Sequence, residues 1–303
     1  MTNSLYNIDK KIPINTCIYC GSVENLTDEH AMPYSMQGDL ELLKASCLKC
    51  NGITTKFERL VARDLFGSVR AAFEIQTRKP KERLQDYSII LEKDGIIEFE
   101  KILIKGNPVF IKLPVFGLPL RMTGIKSEKG RFLGWNVYML NGDVEDLKEL
   151  EKRFDADAVL LEGGKEVHVI AFAQFLAKIA YCHVIGFFGF NALQENFVLP
   201  AILGEANDIL QNVGIADLNV FDRFDELIQS EIIMRVGFKL VGKTITAQIK
   251  IFTLKKTPPY VVFVGRLRNE VAKVIGENNY IRDYRLSTSA NLVYRQSWFI
   301  PVA

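Results

Sequence analysis

Cys17-Ile-Tyr-Cys20 and Cys47-Leu-Lys-Cys50 are two Cys-x-x-Cys pairs separated by 26 residues, and Asp28-Glu29-His30 lies between them. Thiolates at this spacing wrap one ion from a tight turn, and two such pairs give zinc four tetrahedral sulfur ligands with no open position. The metal expected at Cys17, Cys20, Cys47 and Cys50 is therefore a structural Zn2+, whose binding is coupled to folding of the small unit around it. A redox pair or unconnected thiols are the alternatives. Chemistry is expected at a second place. Glu29 beside His30, with Asn51 directly after the last cysteine, suits a further metal that acts on a substrate. The plainer readings are an incidental histidine and, for Asn51, a helix N-cap, a position asparagine favours.

Positioning these groups requires a compact unit over residues 13–70. Cys17 to Gly21 reads as a knuckle turn, and Asn25 to His30 as a short extended segment with Leu26 pointing inward. Pro33 and Gly38 break the chain into a loop, and Leu40 to Ser46 forms a second strand. A helix follows, with Ile53, Phe57, Leu60, Val61 and Leu65 on an apolar face. Lys56, Arg59, Arg63 and Arg70 form a stripe on another side. Neighbouring strand residues point to opposite sides, so Glu29 and His30 converge on one site only if the backbone twists or bulges near the strand end. Cys50 fixes Asn51 at the helix start.

At 303 residues, 48% apolar and 24% charged, the chain has ordinary globular composition and room for more than one domain. Its net charge of +2 says little about partners, but ten basic and four acidic residues between Lys44 and Arg83 leave a local +6. Such a field attracts a polyanion; a solvated helix face is the alternative. The N-terminus lacks the apolar region of a signal peptide. The longest apolar stretch, Ile170 to Phe190, contains Gln174, Lys178 and His183, which suits a buried helix better than a membrane span. Cysteines of this kind in a long chain suit a reducing, cytoplasmic setting, and Cys182 reads as a small buried hydrophobe.

Beyond a polar break at Arg78 to Arg83, strands are expected within Tyr87 to Val115, with turns at Asp94-Gly95 and Gly106-Asn107-Pro108, and at Phe132 to Leu140. An exposed helix is expected over Asp143 to Phe154 and an apolar one over Val169 to Phe190. Ile245, Ala247, Ile249 and Ile251 alternate with polar residues as a half-buried strand, with Tyr260 to Val264 its neighbour. His168 and His183 read as core residues, and Glu226 and Glu231 as surface charge. The expected class is α+β: a tail over 1–12, a basic zinc unit over 13–77, and an α+β domain of unassigned fold over 84–303.

The stretch Cys17-Ile-Tyr-Cys-Gly-Ser through Leu26-Thr-Asp-Glu-His-Ala-Met-Pro33, then Cys47-Leu-Lys-Cys-Asn51 and Lys56, resembles the HNH endonuclease family in its zinc-stabilised branch. The resemblance covers residues 15–66, about a sixth of the chain. It implies the ββα-metal fold and metal-dependent hydrolysis of nucleic-acid phosphodiesters, with DNA the expected partner. It makes His30 the general base and Glu29 and Asn51 ligands of a catalytic divalent ion, Mg2+ or Mn2+. Lys56, Arg59 and Arg63 would hold the phosphate backbone. The chain departs from the family in having no second histidine in the helix, where Thr54 and Thr55 stand, and no counterpart of the middle asparagine between Gly38 and Ser46. A non-catalytic zinc module that binds nucleic acid is the competing reading. A third makes residues 84–303 a sensor restraining the nuclease in defence against foreign DNA. No membrane partner is expected, and one cutting site per chain suggests a homodimer.

Overall fold

The computed structural model describes residues 10–301 except 76, 78–79, 125–130, 162, 207, 219, 222–232, 253–256, 276–279 and 286–293. Among them, fifteen strands and seven α-helices build an α+β fold with four sheets. The cysteine unit contributes β1 (Lys11–Pro13), β2 (Leu26–His30) and β3 (Glu41–Cys47). β3 lies in the middle, parallel to β1 and antiparallel to β2. The expected tail therefore ends in a paired strand, while residues 1–9 lie outside the described residues. α1 (Leu48–Leu60) follows β3 directly and runs into a single π-helical turn, Val61–Leu65, before α2 (Gly67–Ala72).

The rest of the chain begins with β4 (Asp86–Lys93), β5 (Ile96–Leu103) and β6 (Val109–Phe116). Asp94 and Gly95 both have positive φ, the left-handed pair that a two-residue hairpin matching strand twist requires, so the Asp-Gly signal gives the β4–β5 turn. α3 (Leu120–Thr123), β7 (Phe132–Leu140) and α4 (Val144–Phe154) come next, α4 starting from a capping box in which Asp143 and Asp146 bond reciprocally. β8 (Ala158–Leu160) completes the sheet β5-β4-β8. The long α5 (Glu166–Phe188) precedes β9 (Leu193–Asn196), α6 (Leu199–Ile202) and β10 (Val213–Ile215). β11 (Ile233–Val241), β12 (Thr244–Lys250), β13 (Pro259–Leu267), α7 (Asn269–Ile275), β14 (Tyr280–Arg285) and β15 (Tyr294–Pro301) end the chain. The largest sheet has the order β10-β13-β12-β11-β14 with β9 also on β13, and β15 closes the sheet β15-β7-β6.

α5 is the hub. It is apolar on nearly every side, and from Ala171 to Ile185 only Gln174 is not fully buried, which is the pattern of a core helix. Phe172 and Phe175 meet Phe66 edge-on from one side, and Tyr260 of β13 packs on Phe172 from another. Cys182 is fully buried, as expected of a small hydrophobe. His183 is buried too. Its Nδ1 donates to Ile179 O, its Nε2 accepts from Tyr284, and burial pushes its pKa down to about 3, so it stays neutral. His168 accepts from Lys165 N–H at Nδ1 and donates from Nε2 to Asp64, tying α5 to the π-turn.

A single buried cluster runs from Cys17 through α1 and α5 into β12 and β13. The sequence boundary between 77 and 84 therefore does not divide the core. Arg83 folds back to donate to Ile75 O; Arg78 and Lys79 lie outside the described residues. β12 also differs from the half-buried expectation, since Thr246 and Gln248 are as buried as Ile245, Ala247 and Ile249. Gln248 Oε1 accepts from Leu218 N and Val220 N and its Nε2 donates to Asp217, so these residues cover the face that alternation alone would leave to water. Glu226 and Glu231 lie outside the described residues.

Candidate metal centre and nucleic-acid face

The knuckle closes through Cys17 N–H to Ser22 O and Gly21 N–H to Cys17 O, with Gly21 at φ +76° where a side chain would be strained. Cys47 ends β3 as the extended N-cap residue of α1, and Cys50 lies in the first turn. The two pairs meet so that their four sulfurs all lie within 4.8 Å of one another, with Cys20 Sγ 3.6 Å from Cys47 Sγ. Tetrahedral zinc with Zn–S near 2.3 Å requires sulfur separations of about 3.8 Å, so the cluster fits that ion closely. No disulfide links the described cysteines. Burial acts to raise the Cys47 thiol, but the Cys50 backbone N–H and the three neighbouring thiols outweigh it and bring its pKa down to about 7. Cys50, more deeply placed, is pushed up by burial and by the neighbouring sulfurs.

The β2–β3 hairpin has the irregularity that the Glu29–His30 pair requires, but on β3. Thr27 pairs with Ser46 and Glu29 with Leu42, so β3 carries two extra residues opposite Asp28. Lys44 in the bulge takes φ +49°, and its N–H donates to Asp28 Oδ1 at 2.8 Å. Asp28 is thus a bulge clamp. The loop after His30 is closed by Gly38, where a Cβ would stand 1.7 Å from Met32 O, so only glycine fits.

Alternation then sends Glu29 and His30 to opposite sides. Glu29 faces inward and is 5% exposed. Its Oε1 lies 2.7 Å from Nζ of Lys178, a fully buried α5 residue. Nζ also approaches Glu58 Oε1 of α1 to 2.8 Å, without hydrogen-bond alignment, and donates to the backbone oxygen of His30. Burial alone would lower the Lys178 pKa, but the two carboxylates outweigh it and hold the ammonium charged. Glu58 is raised by burial; Lys178 pulls it down and Glu29 pushes it up. His30 is half-buried, with Nε2 3.8 Å from Glu41 Oε1 of the adjoining strand and its ring 5.8 Å from that of Tyr34.

Asn51 is the fourth residue of α1, with Cys47 in the N-cap position, so it is not the cap. Its Nδ2 faces Thr27 Oγ1 of β2 and its Oδ1 faces Thr55 Oγ1, both at 3.4 Å. The three motif residues thus keep different company: Glu29 with Lys178 and Glu58, Asn51 with two threonines, His30 with Glu41 and Tyr34. Glu29 and Asn51 do not fit as joint ligands of a divalent ion, because the Lys178 ammonium already supplies the cation at Glu29.

Lys56, Arg59 and Arg63 are exposed along α1 and the π-turn. Arg70 leaves the expected stripe. The π-turn shifts the helical phase, and Arg70 is half-buried, donating to Ser35 O and Ala62 O. Sequence reading missed the roles of Lys178 and Glu58. The available signal was a lysine inside an otherwise apolar helix, which can be buried only with counter-charges.

The chain is thus an α+β protein whose four cysteines lie close enough to hold one metal ion, compatible with a zinc module. No known protein family, curated protein or solved structure matches it.

Proposed function

We propose that this protein is an endonuclease of the HNH kind, hydrolysing phosphodiester bonds of nucleic acid, with DNA the expected substrate. The carrying observation is the order strand, bulged strand, helix clamped by four cysteines, with His30 ending β2 and Asn51 of α1 joined to Thr27 of the same strand. In this reading His30 in its neutral form takes a proton from the attacking water, and Glu41 beside it favours the imidazolium that results. Lys56, Arg59 and Arg63 hold the phosphate backbone, positioning the strand without reading its sequence.

Cleavage of supercoiled plasmid, with added Mg2+ or Mn2+ and with a chelator, tests the reading. Nicked or linear product is expected from the wild type. His30→Ala is expected to lower the rate by roughly 10²–10⁴-fold with zinc content and melting unchanged. Equal rates would remove His30 from the reaction. Reversing the charge of Lys56, Arg59 and Arg63 together should weaken binding at low salt. It should also flatten the dependence of log K on log salt by about 0.9 per lost contact on duplex DNA. An unchanged slope would place the substrate on another face.

The second reading, a non-catalytic zinc-containing module that binds nucleic acid, is favoured by the Lys178 contact at Glu29. Binding without cleavage under every divalent-ion condition would select it.

A further inference from the structure

We propose that the cleft between the π-helical turn, α2 and residues Ile75, Thr77 and Glu82 to Leu84 binds a phosphomonoester, the 5′-phosphate of a nucleotide or of a nucleic-acid strand end. The strand-end form rests on the nucleic-acid reading above. The cleft has a volume of about 340 Å³, the size of a small-ligand site. Arg63, Arg70 and Arg83 line it together, with Ala71 and Leu84 as apolar wall, and among its described lining residues Glu82 is the one carboxylate.

The arginines are held by the backbone. In a regular helix Ala62 O would accept from Phe66 N–H, but the π-turn sends that N–H to Val61 O. Ala62 O is thereby released from the helix ladder and accepts from Arg70 Nη1 at 3.0 Å, while Arg70 Nε donates to Ser35 O at 2.9 Å. Arg83 Nη2 donates to Ile75 O at 3.1 Å. A guanidinium carries five N–H donors, so these bonds fix the groups without exhausting them. Gly67 lets segment 82–84 come close, since a Cβ there would meet Leu84 Cδ1 at 2.9 Å.

Charge selects the ligand. Among the described lining residues three guanidiniums and one carboxylate leave +2, which matches a monoester at about −1.5 to −2 near neutral pH better than an internal diester. The repulsion is felt within the cleft: burial first, then Arg83 and Arg63, lower the pKa of Arg70. The cleft also adjoins the candidate reaction site, because Ser35 belongs to the turn Tyr34–Met36 and Tyr34 lies beside His30.

The test uses the full zinc-loaded chain carrying His30→Ala to prevent cleavage. One oligonucleotide is compared with 5′-phosphate and with 5′-hydroxyl by fluorescence anisotropy, and adenosine 5′-monophosphate and inorganic phosphate are titrated by calorimetry. The phosphorylated end should bind at least about tenfold more tightly, and Arg63→Gln/Arg83→Gln should abolish the difference and the binding of the monophosphate. If the double variant melts early, Arg63→Gln alone serves, since Arg63 is exposed and makes no hydrogen bond or ion pair among the described residues. Monophosphate binding without end preference would assign the site to free nucleotides. Equal affinity for both ends with no monophosphate binding, or a preference that survives in the variants, overturns the proposal. A chain that prefers the phosphorylated end yet never cuts plasmid keeps this site and loses the nuclease reading; one that cuts plasmid without end preference does the reverse.

Discussion

Lys178→Met is expected to destabilise the protein by about 3–5 kcal/mol, because it strips the counter-charge from the buried Glu29 and the half-buried Glu58. The ammonium is fully buried on α5 and lies 2.7 Å from Glu29 and 2.8 Å from Glu58. Methionine matches the aliphatic stem, so the loss reports charge rather than volume. The sign of the pH dependence follows from the shifts. The raised Lys178 pKa stabilises the fold fully below the ordinary lysine value of about 10.4, hence across the neutral range. The raised Glu58 pKa gives a contribution fully present below its unfolded value of about 4.3 and lost as pH rises through its folded value. Without the ammonium Glu58 loses the partner that pulls its pKa down and favours its protonated form further. The deficit of Lys178→Met should therefore be largest near neutral pH and shrink on acidification. Urea unfolding across that range reads it, and Glu29→Gln/Glu58→Gln added to Lys178→Met should restore much of the loss. A deficit independent of pH would mean that charge is not its cause. If Mg2+ or Mn2+ raised the melting temperature of the zinc-loaded wild type, that would place an ion where the ammonium stands.

The features legible in the sequence were those set locally. The cysteine spacing, the Asp94-Gly95 turn, the helix expected over Asp143 to Phe154 and the bounds of β7 depend on neighbours a few residues away. The features that were not legible depend on distant partners. Lys178 counted only as a charge against a membrane span, because the residues that justify burying it, Glu29 and Glu58, stand on β2 and α1. Polar positions of β12 looked like a wet face because nothing in the alternation shows that Leu218 and Val220 return to cover Gln248. Asn51 looked like a cap because the helix start was placed four residues late. The π-turn, which moves Arg70 off the basic stripe and into the cleft, has no periodicity of its own to read.

Cys20→Ser is expected to abolish binding of one zinc per chain and to lower the melting temperature in a single transition. Cys20 is exposed, unlike Cys17, Cys47 and Cys50, so its replacement removes a ligand with little change in packing. Structural zinc contributes apparent binding energies of about 10–16 kcal/mol in isolated zinc-finger peptides. Here part of that hold is shared with the core, so the chain keeps some structure when the ion leaves. The knuckle is bonded to α5 through Tyr181 to Ile18 O and through Tyr19 to Cys182, and α5 packs closely on the residue before β3, since a Cβ at Gly186 would meet Leu40 Cδ2 at 3.2 Å. Loosening the knuckle therefore loosens the hub of the fold, and a separate melting step for residues 13–77 is not expected. Zinc release should also follow protons, because all four thiols must ionise to bind it; affinity should fall as pH drops. Metal analysis with calorimetric melting decides the matter. Unchanged zinc content in Cys20→Ser would remove the four-cysteine site, and two resolved transitions would show that the zinc unit folds apart from α5.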